Sequence, residues 1–195
     1  MGEPLDKQNL RRSIAAERAA LPEKQRRADS VSIRDGLLDQ PWTQMAGLVA
    51  CYWSIGAEPD THGLVFALWK HGATVMLPVL RDDNDLDWAV YDGPDTLAPG
   101  RYGVMEPVDV RRGVDAIRTA ALVVVPALAV GETDGVRLGK GGGSYDRALA
   151  RVGPHVPTVA LLYEDELVDK VPAEPHDRAV RFVARPSGVI AVGAP

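Results

Sequence analysis

The sequence predicts an α/β protein: a three-layer α/β/α sandwich around a mostly parallel sheet. Three observations point there. Apolar runs of strand length alternate with segments of helical periodicity along the chain. Two of those runs, 47–53 and 120–125, are apolar on both faces, as strands covered on both sides must be. The composition, 195 residues with 46% hydrophobic and 25% charged, suits one globular domain over 1–195 with a sizeable core.

Taken in order, 6–20 reads as a helix with Asp6 at its N-cap. Leu10, Ile14 and Leu21 mark its apolar side. Lys7, Arg11 and Arg18 form a basic stripe at helical spacing, which on spacing alone is a solvated charged face. Pro22 opens a second helix to about residue 38. The strand at 47–53 carries Cys51 as a small buried hydrophobe. The loop at 54–60 leaves that strand's C-terminal end, the edge where open α/β sheets bind ligands. Thr61 caps a helix to about 71. A strand follows at 73–80, then an acidic turn at 82–85. That turn lacks a calcium-loop pattern and reads as solvated. Period-two alternation makes 86–91 a half-exposed strand, and a Pro/Gly loop covers 92–100. After the strand at 120–125 come a long loop, a glycine cluster and a helix at 145–151. A strand at 156–163, an acidic helix from Asp165, a loop at 171–177 and a short strand at 182–184 complete the reading. His62, His71 and His155 have no partners in the pattern, and nothing demands His176 as a base.

Composition narrows the function. No apolar stretch is long enough to span a bilayer, and the first residues lack the apolar core of a signal peptide. A single cysteine excludes an internal disulfide and a multi-cysteine zinc site, and a cytoplasmic protein is expected. A net charge of −5 argues against nucleic acid, so an anionic ligand must meet a local basic cluster.

That cluster is Arg137-Leu-Gly-Lys-Gly-Gly-Gly-Ser-Tyr-Asp-Arg147, between a buried strand and a helix. Glycine lets the backbone turn sharply and approach a ligand closely. N–H groups at a helix start attract anions. Arg137 and Lys140 add positive charge, and Asp146 adds a carboxylate in the first turn. The chemistry this suggests is a polyphosphate held by amides and basic side chains, with a metal bridging to Asp146. The string is neither a Walker A loop nor a dinucleotide fingerprint.

The string, with Val125-Pro-Ala-Leu-Ala-Val130 before it, resembles the signature of the 5-formyltetrahydrofolate cyclo-ligases. Lys7-Gln-Asn-Leu-Arg11 is similar to the Lys-x-x-Leu-Arg string that opens that family, and Arg101-Tyr-Gly-Val-Met-Glu-Pro107 resembles a further segment of it, expected to be structural or pocket-lining. The resemblance implies a Rossmann-like domain, of the shape shared with sugar-phosphate isomerases and CoA transferases, over nearly the whole chain. It implies ATP and Mg²⁺ as cofactors and 5-formyltetrahydrofolate, with or without a polyglutamate tail, as substrate. The formyl oxygen is phosphorylated to an iminium phosphate, nitrogen 10 closes the ring, and 5,10-methenyltetrahydrofolate, ADP and phosphate leave. Carried over by the motif, Lys7, Gln8, Asn9, Leu10 and Arg11 bind ATP together with Arg137, Leu138, Gly139, Lys140, Gly141, Gly142, Gly143, Ser144 and Tyr145. Lys7, Arg11, Arg137 and Lys140 do the catalytic charge neutralisation. Arg11, Trp53, Glu58 and Lys140 to Ser144 contact the folate, with Glu58 on the pterin. Asp146 and Asp177 hold the metal. A monomer is expected, with no nucleic-acid or membrane partner.

The chain departs from the family string at three places. Val130-Gly131 stands for Phe-Asp, Gly142 for an occasional basic residue, and Ser144 for the first of two aromatics. The residues alone leave a rival reading, a non-catalytic nucleotide- or folate-binding module, or a protein like the sugar-phosphate isomerases.

Overall fold

The computed structural model describes residues 6–193. Its helices and strands run in the order α1 (Lys7–Ala20), α2 (Glu23–Leu38), α3 (Pro41–Gln44), β1 (Leu48–Ala50), α4 (His62–Lys70), β2 (Thr74–Leu80), β3 (Leu86–Tyr91), β4 (Leu97–Pro99), β5 (Met105–Pro107), β6 (Leu122–Pro126), β7 (Ala129–Gly131), β8 (Arg137–Leu138), α5 (Ser144–Leu149), β9 (Thr158–Leu161), β10 (Leu167–Val168), β11 (Phe182–Arg185) and β12 (Gly188–Ala191). Asp6 caps α1 as expected, accepting from the Gln8 N–H at 3.2 Å. At α4 the capping oxygen belongs to Asp60, which accepts from the His62 N–H at 3.2 Å. The Thr61 hydroxyl instead donates to the Tyr52 carbonyl at 2.7 Å.

The main sheet has seven strands in the order β12-β11-β9-β6-β1-β2-β3. Its inner pairs are parallel, and each edge carries one antiparallel strand. Successive residues of the inner strands enter opposite cores, as the pleat requires. Val49, Val75, Leu77, Val124 and Leu161 pack with Ile33, Leu37, Leu64 and Leu68 of α2 and α4. Ala50, Met76, Val123, Val125 and Ala160 pack with Ile117, Ala148 and Leu149 on the other side. Burying each large side chain contributes about 1.5–3 kcal/mol.

Three expectations are corrected. β3 is not half-exposed: Leu86, Trp88, Ala89 and Tyr91 are all buried. Tyr91 lies against Trp53 and Trp69 on one face. The Asp87 carboxylate takes the Gly113 N–H at 2.7 Å, and on the face opposite Tyr91, Trp88 packs with Ile117 of the turn over residues 114–119. The acidic helix from Asp165 is a single 3₁₀ turn, Glu164–Glu166, because Glu166 turns inward and the chain then pairs as β10 with β7. The acidic turn at 82–85 is not wholly solvated, since Asp85 is buried and holds the Arg151 guanidinium at 2.5 and 2.9 Å.

Strands β10, β7 and β8 form a small second sheet, and α1 packs over it through Ile14 and Leu10 against Leu128, Ala129, Leu138 and Val171.

Candidate active site

The C-terminal ends of β1, β2 and β6 open into a cavity of about 500 Å³. Position at that edge is what a parallel sheet with a glycine-rich loop after an inner strand produces. Pro126 to Leu128 form its floor, and the loop after β8 forms one wall.

That wall depends on backbone that glycine alone adopts easily. Gly141 has φ +102° and Gly143 φ +69°, both in the left-handed region. A Cβ on Gly143 would also lie 2.9 Å from the Arg147 guanidinium. The loop is tied to α1 by Arg11, whose Nε donates to the Gly139 carbonyl at 2.8 Å. One turn away on α1, Lys7 donates to Glu174 at 2.6 Å and to Asp177 at 2.7 Å. Burial pulls the Lys7 pKa down, but the bonds to Asp177 and Glu174 outweigh it and hold it above the ordinary lysine value. Burial acts on Asp177 in the opposite sense, and Lys7 overrides it, so the carboxyl stays below its usual range.

Arg137 is 3% exposed at its side chain and pairs with Asp146 at 3.0 Å. Its Nε has no partner among the described residues, so a buried donor is left over beside the cavity. Burial lowers its pKa, and a guanidinium still keeps its charge. Opposite, Glu58 pairs with Lys140 at 2.6 Å and accepts from the Ile55 N–H at 2.9 Å. Trp53 lines the cavity and stacks on His62 at 4.0 Å, so it is both core aromatic and wall.

Thus the fold brings together Lys7, Arg11, Trp53, Glu58, residues 137–146 and Asp177. It does not bring in Gln8, Asn9 or Leu10. Gln8 and Asn9 are exposed outside the lining, and Leu10 packs on the Ile14 cluster. Helical geometry explains this correction, since Lys7 and Arg11 share a face that the residues between them leave. Asp146 and Asp177 both border the cavity, each already facing a cation. Glu174, His176 and Asp177 each offer an atom within 4.8 Å of the others. The wall from 101–107 supplies Tyr102, Val104 and Glu106. Tyr102 stands 78% exposed with φ +55°, in the segment whose family resemblance marked it as structural or pocket-lining. Arg18 and Tyr52 were missed as lining residues.

A mostly parallel sheet with a composite cleft at its C-terminal edge, cationic and glycine-rich on one side, aromatic and acidic on the other, defines an α/β enzyme of small molecules. Comparison with known proteins gives the family. The chain belongs to the 5-formyltetrahydrofolate cyclo-ligase family, whose profile matches residues 4–186. It is similar to the 5-formyltetrahydrofolate cyclo-ligase of Mycolicibacterium smegmatis, 35% identical over 97% of this chain and 98% of that one. It is also similar to that of Escherichia coli K12, 34% identical over 90% and 98%. The fold matches the NMR structure of Aquifex aeolicus 5,10-methenyltetrahydrofolate synthetase with TM-score 0.82 and 27% identity, covering 97% and 94% of the two chains. The Mycoplasma pneumoniae enzyme of the same name shares the fold with TM-score 0.75 at 18% identity, over 93% and 99%. The expected family and fold class therefore both hold.

Proposed function

We propose that this cleft carries out its family's reaction, 5-formyltetrahydrofolate to 5,10-methenyltetrahydrofolate, with ATP and Mg²⁺ as co-reactants. One observation carries the assignment of roles. Lys7 and Arg11, from one end of the chain, converge with Arg137 and Lys140 on a single cleft that also holds Glu58.

A formyl oxygen is a poor leaving group until it is phosphorylated. Nitrogen 10 then attacks the formyl carbon, and phosphate departs with that oxygen. The protein's work is positioning and charge neutralisation. Lys7, Arg137 and Lys140 face the phosphates. Arg11, anchored on the Gly139 carbonyl, aligns them against the folate. Gly139 to Gly143 offer backbone N–H donors, and the orphaned Arg137 Nε adds another. Glu58 accepts from the pterin N–H and amino group, a charge-assisted pair. Trp53 and Ser144 flank the ring.

The carboxylates fit a hard divalent cation, which takes oxygen ligands and shares them with phosphate. Asp146 and Asp177 would hold it, and bound there it would offset the negative charge of the phosphates. A monomer acting on free folate in the cytoplasm completes the reading.

Mixing the protein with 5-formyltetrahydrofolate and MgATP should raise the near-ultraviolet absorbance of the methenyl product. No rise with MgATP present would remove this activity and leave a folate- or nucleotide-binding role.

A further inference from the structure

We propose that Arg18 is a positioning residue for the phosphate clamp: it fixes α1, and with it Lys7 and Arg11, against the floor of the cleft. The inference rests on the assignment of Lys7 and Arg11 to the nucleotide.

Arg18 continues the basic stripe of Lys7 and Arg11, yet it is only 3% exposed. Its guanidinium joins three parts of the fold. Nε and Nη2 donate to the two Glu166 oxygens at 2.6 and 2.7 Å. Nη2 also donates to the Ala127 carbonyl at 2.7 Å. Glu166 is itself fixed, accepting from the Tyr163 N–H at 2.8 Å. Ala127 and Arg18 both border the cavity.

Elsewhere α1 is held by Leu10 and Ile14 in the apolar cluster and, near its start, by the bonds of Lys7 and Arg11 themselves, the groups assigned to the phosphates. Among its residues only Ile14 and Arg18 are buried. The Ile14 contact is apolar and non-directional. A bidentate guanidinium–carboxylate pair fixes orientation as well as distance. At 3.6 residues per turn, Lys7, Arg11 and Arg18 lie on one side of the helix, so a rotation or slide at Arg18 moves both clamp residues. A buried ion pair is poor evidence of net stability, because desolvation offsets the attraction. Its contribution here is the register of a helix that the core barely grips.

Three variants test this. Arg18→Met leaves Glu166 buried and uncompensated, and its folding is at risk. Arg18→Met/Glu166→Met removes both charges and keeps the volume filled. Arg18→Lys restores the charge without the fork. In the double variant the KM for ATP should rise about tenfold, a loss of clamp binding. Affinity for 5-formyltetrahydrofolate alone should fall clearly less than that for ATP, because the bonds that place Glu58, to Lys140 and the Ile55 N–H, are kept. Hydrogen exchange at the amides of α1 should speed up about tenfold while β6 stays protected. Arg18→Lys should recover part of the ATP KM.

Ile33→Val, which removes one buried methyl from the core far from the cleft, is the control for general destabilisation. It should leave the KM for ATP unchanged, and an equal rise there would overturn the proposal. A double variant with parent-like ATP KM and a protected α1 would also overturn it. A parent protein inert toward MgATP would instead sink the reaction assigned above, and α1 exchange would still decide the role of Arg18.

Discussion

Glu58 enters the reaction with both oxygens in use, one on Lys140 and one on the Ile55 N–H. Lys140 is 60% exposed, and a pair so screened is worth at most about 1 kcal/mol. The pterin can therefore displace Lys140, which frees the ammonium for the phosphates. Glu58→Gln should weaken 5-formyltetrahydrofolate by about 1–3 kcal/mol and hardly change ATP. Separate titrations with the two ligands check this, and equal losses would assign Glu58 a structural role. A second outcome concerns acid. Asp177, Glu174 and Asp85 have folded-state pKa values below their free values of 3.8, 4.5 and 3.8, each held down by a Lys7 or Arg151 partner. Lowered carboxyls stabilise the fold fully above those free values, and the contribution is lost as pH falls through the folded ones. Stability should be flat from neutral pH down to about 5 and drop below about 4. Arg151→Met should flatten that drop in a urea-melt series, and an unchanged acid limb would remove Asp85 from the account. At this scale the motif residues were legible because their charge types announce the chemistry. Arg18 was not, since spacing shows that three cations share a face and cannot show that one of them is covered by Glu166, 148 residues away.

The glycine loop and the short helix after it act as one element. Gly141→Val forces a branched residue to φ +102° and sets a Cβ 3.7 Å from the Arg11 guanidinium. The strain is in the left-handed backbone of the phosphate cradle, since the Cβ meets Arg11 only at van der Waals distance. ATP affinity should fall by at least about tenfold, with the melting temperature lowered by only a few degrees. Calorimetry and a nucleotide titration read the two effects, and an unchanged nucleotide affinity would clear the loop of that role. The inner strands were legible for a simple reason, that burial on two faces writes continuous apolar runs. β3 misled because Asp87 imitates a solvent-facing position while bonding the Gly113 N–H. The segment after Asp165 misled because three acids in a row read as a solvated helix, whereas Glu166 is the buried partner of an arginine from α1.

Across the whole molecule, the two candidate metal ligands come from separate segments, and their present partners predict different behaviour. Asp177 faces Lys7, which is attached to α1 and can move with it. Asp146 faces Arg137, which is buried. Asp177→Asn should raise the Mg²⁺ concentration needed for half-maximal rate, with a modest fall in melting temperature from the weakened pair with Lys7. Asp146→Asn should do the same and lower stability more, because it weakens the partner of a buried cation. Magnesium titrations beside thermal melts separate these cases. If both variants titrate like the parent, neither aspartate holds the metal.

Contacts that close the cleft span nearly the whole polypeptide: Arg18 to Glu166, Lys7 to Glu174 and Lys7 to Asp177 lie 148, 167 and 170 residues apart. The segment made first of each pair thus waits for one made 148 to 170 residues later. Loop closure over such distances is slow compared with pairing of neighbouring strands. During refolding the sheet should regain its circular dichroism before nucleotide binding returns. A nascent chain halted before Glu166 has emerged should hold its first helix without having anywhere to fasten it.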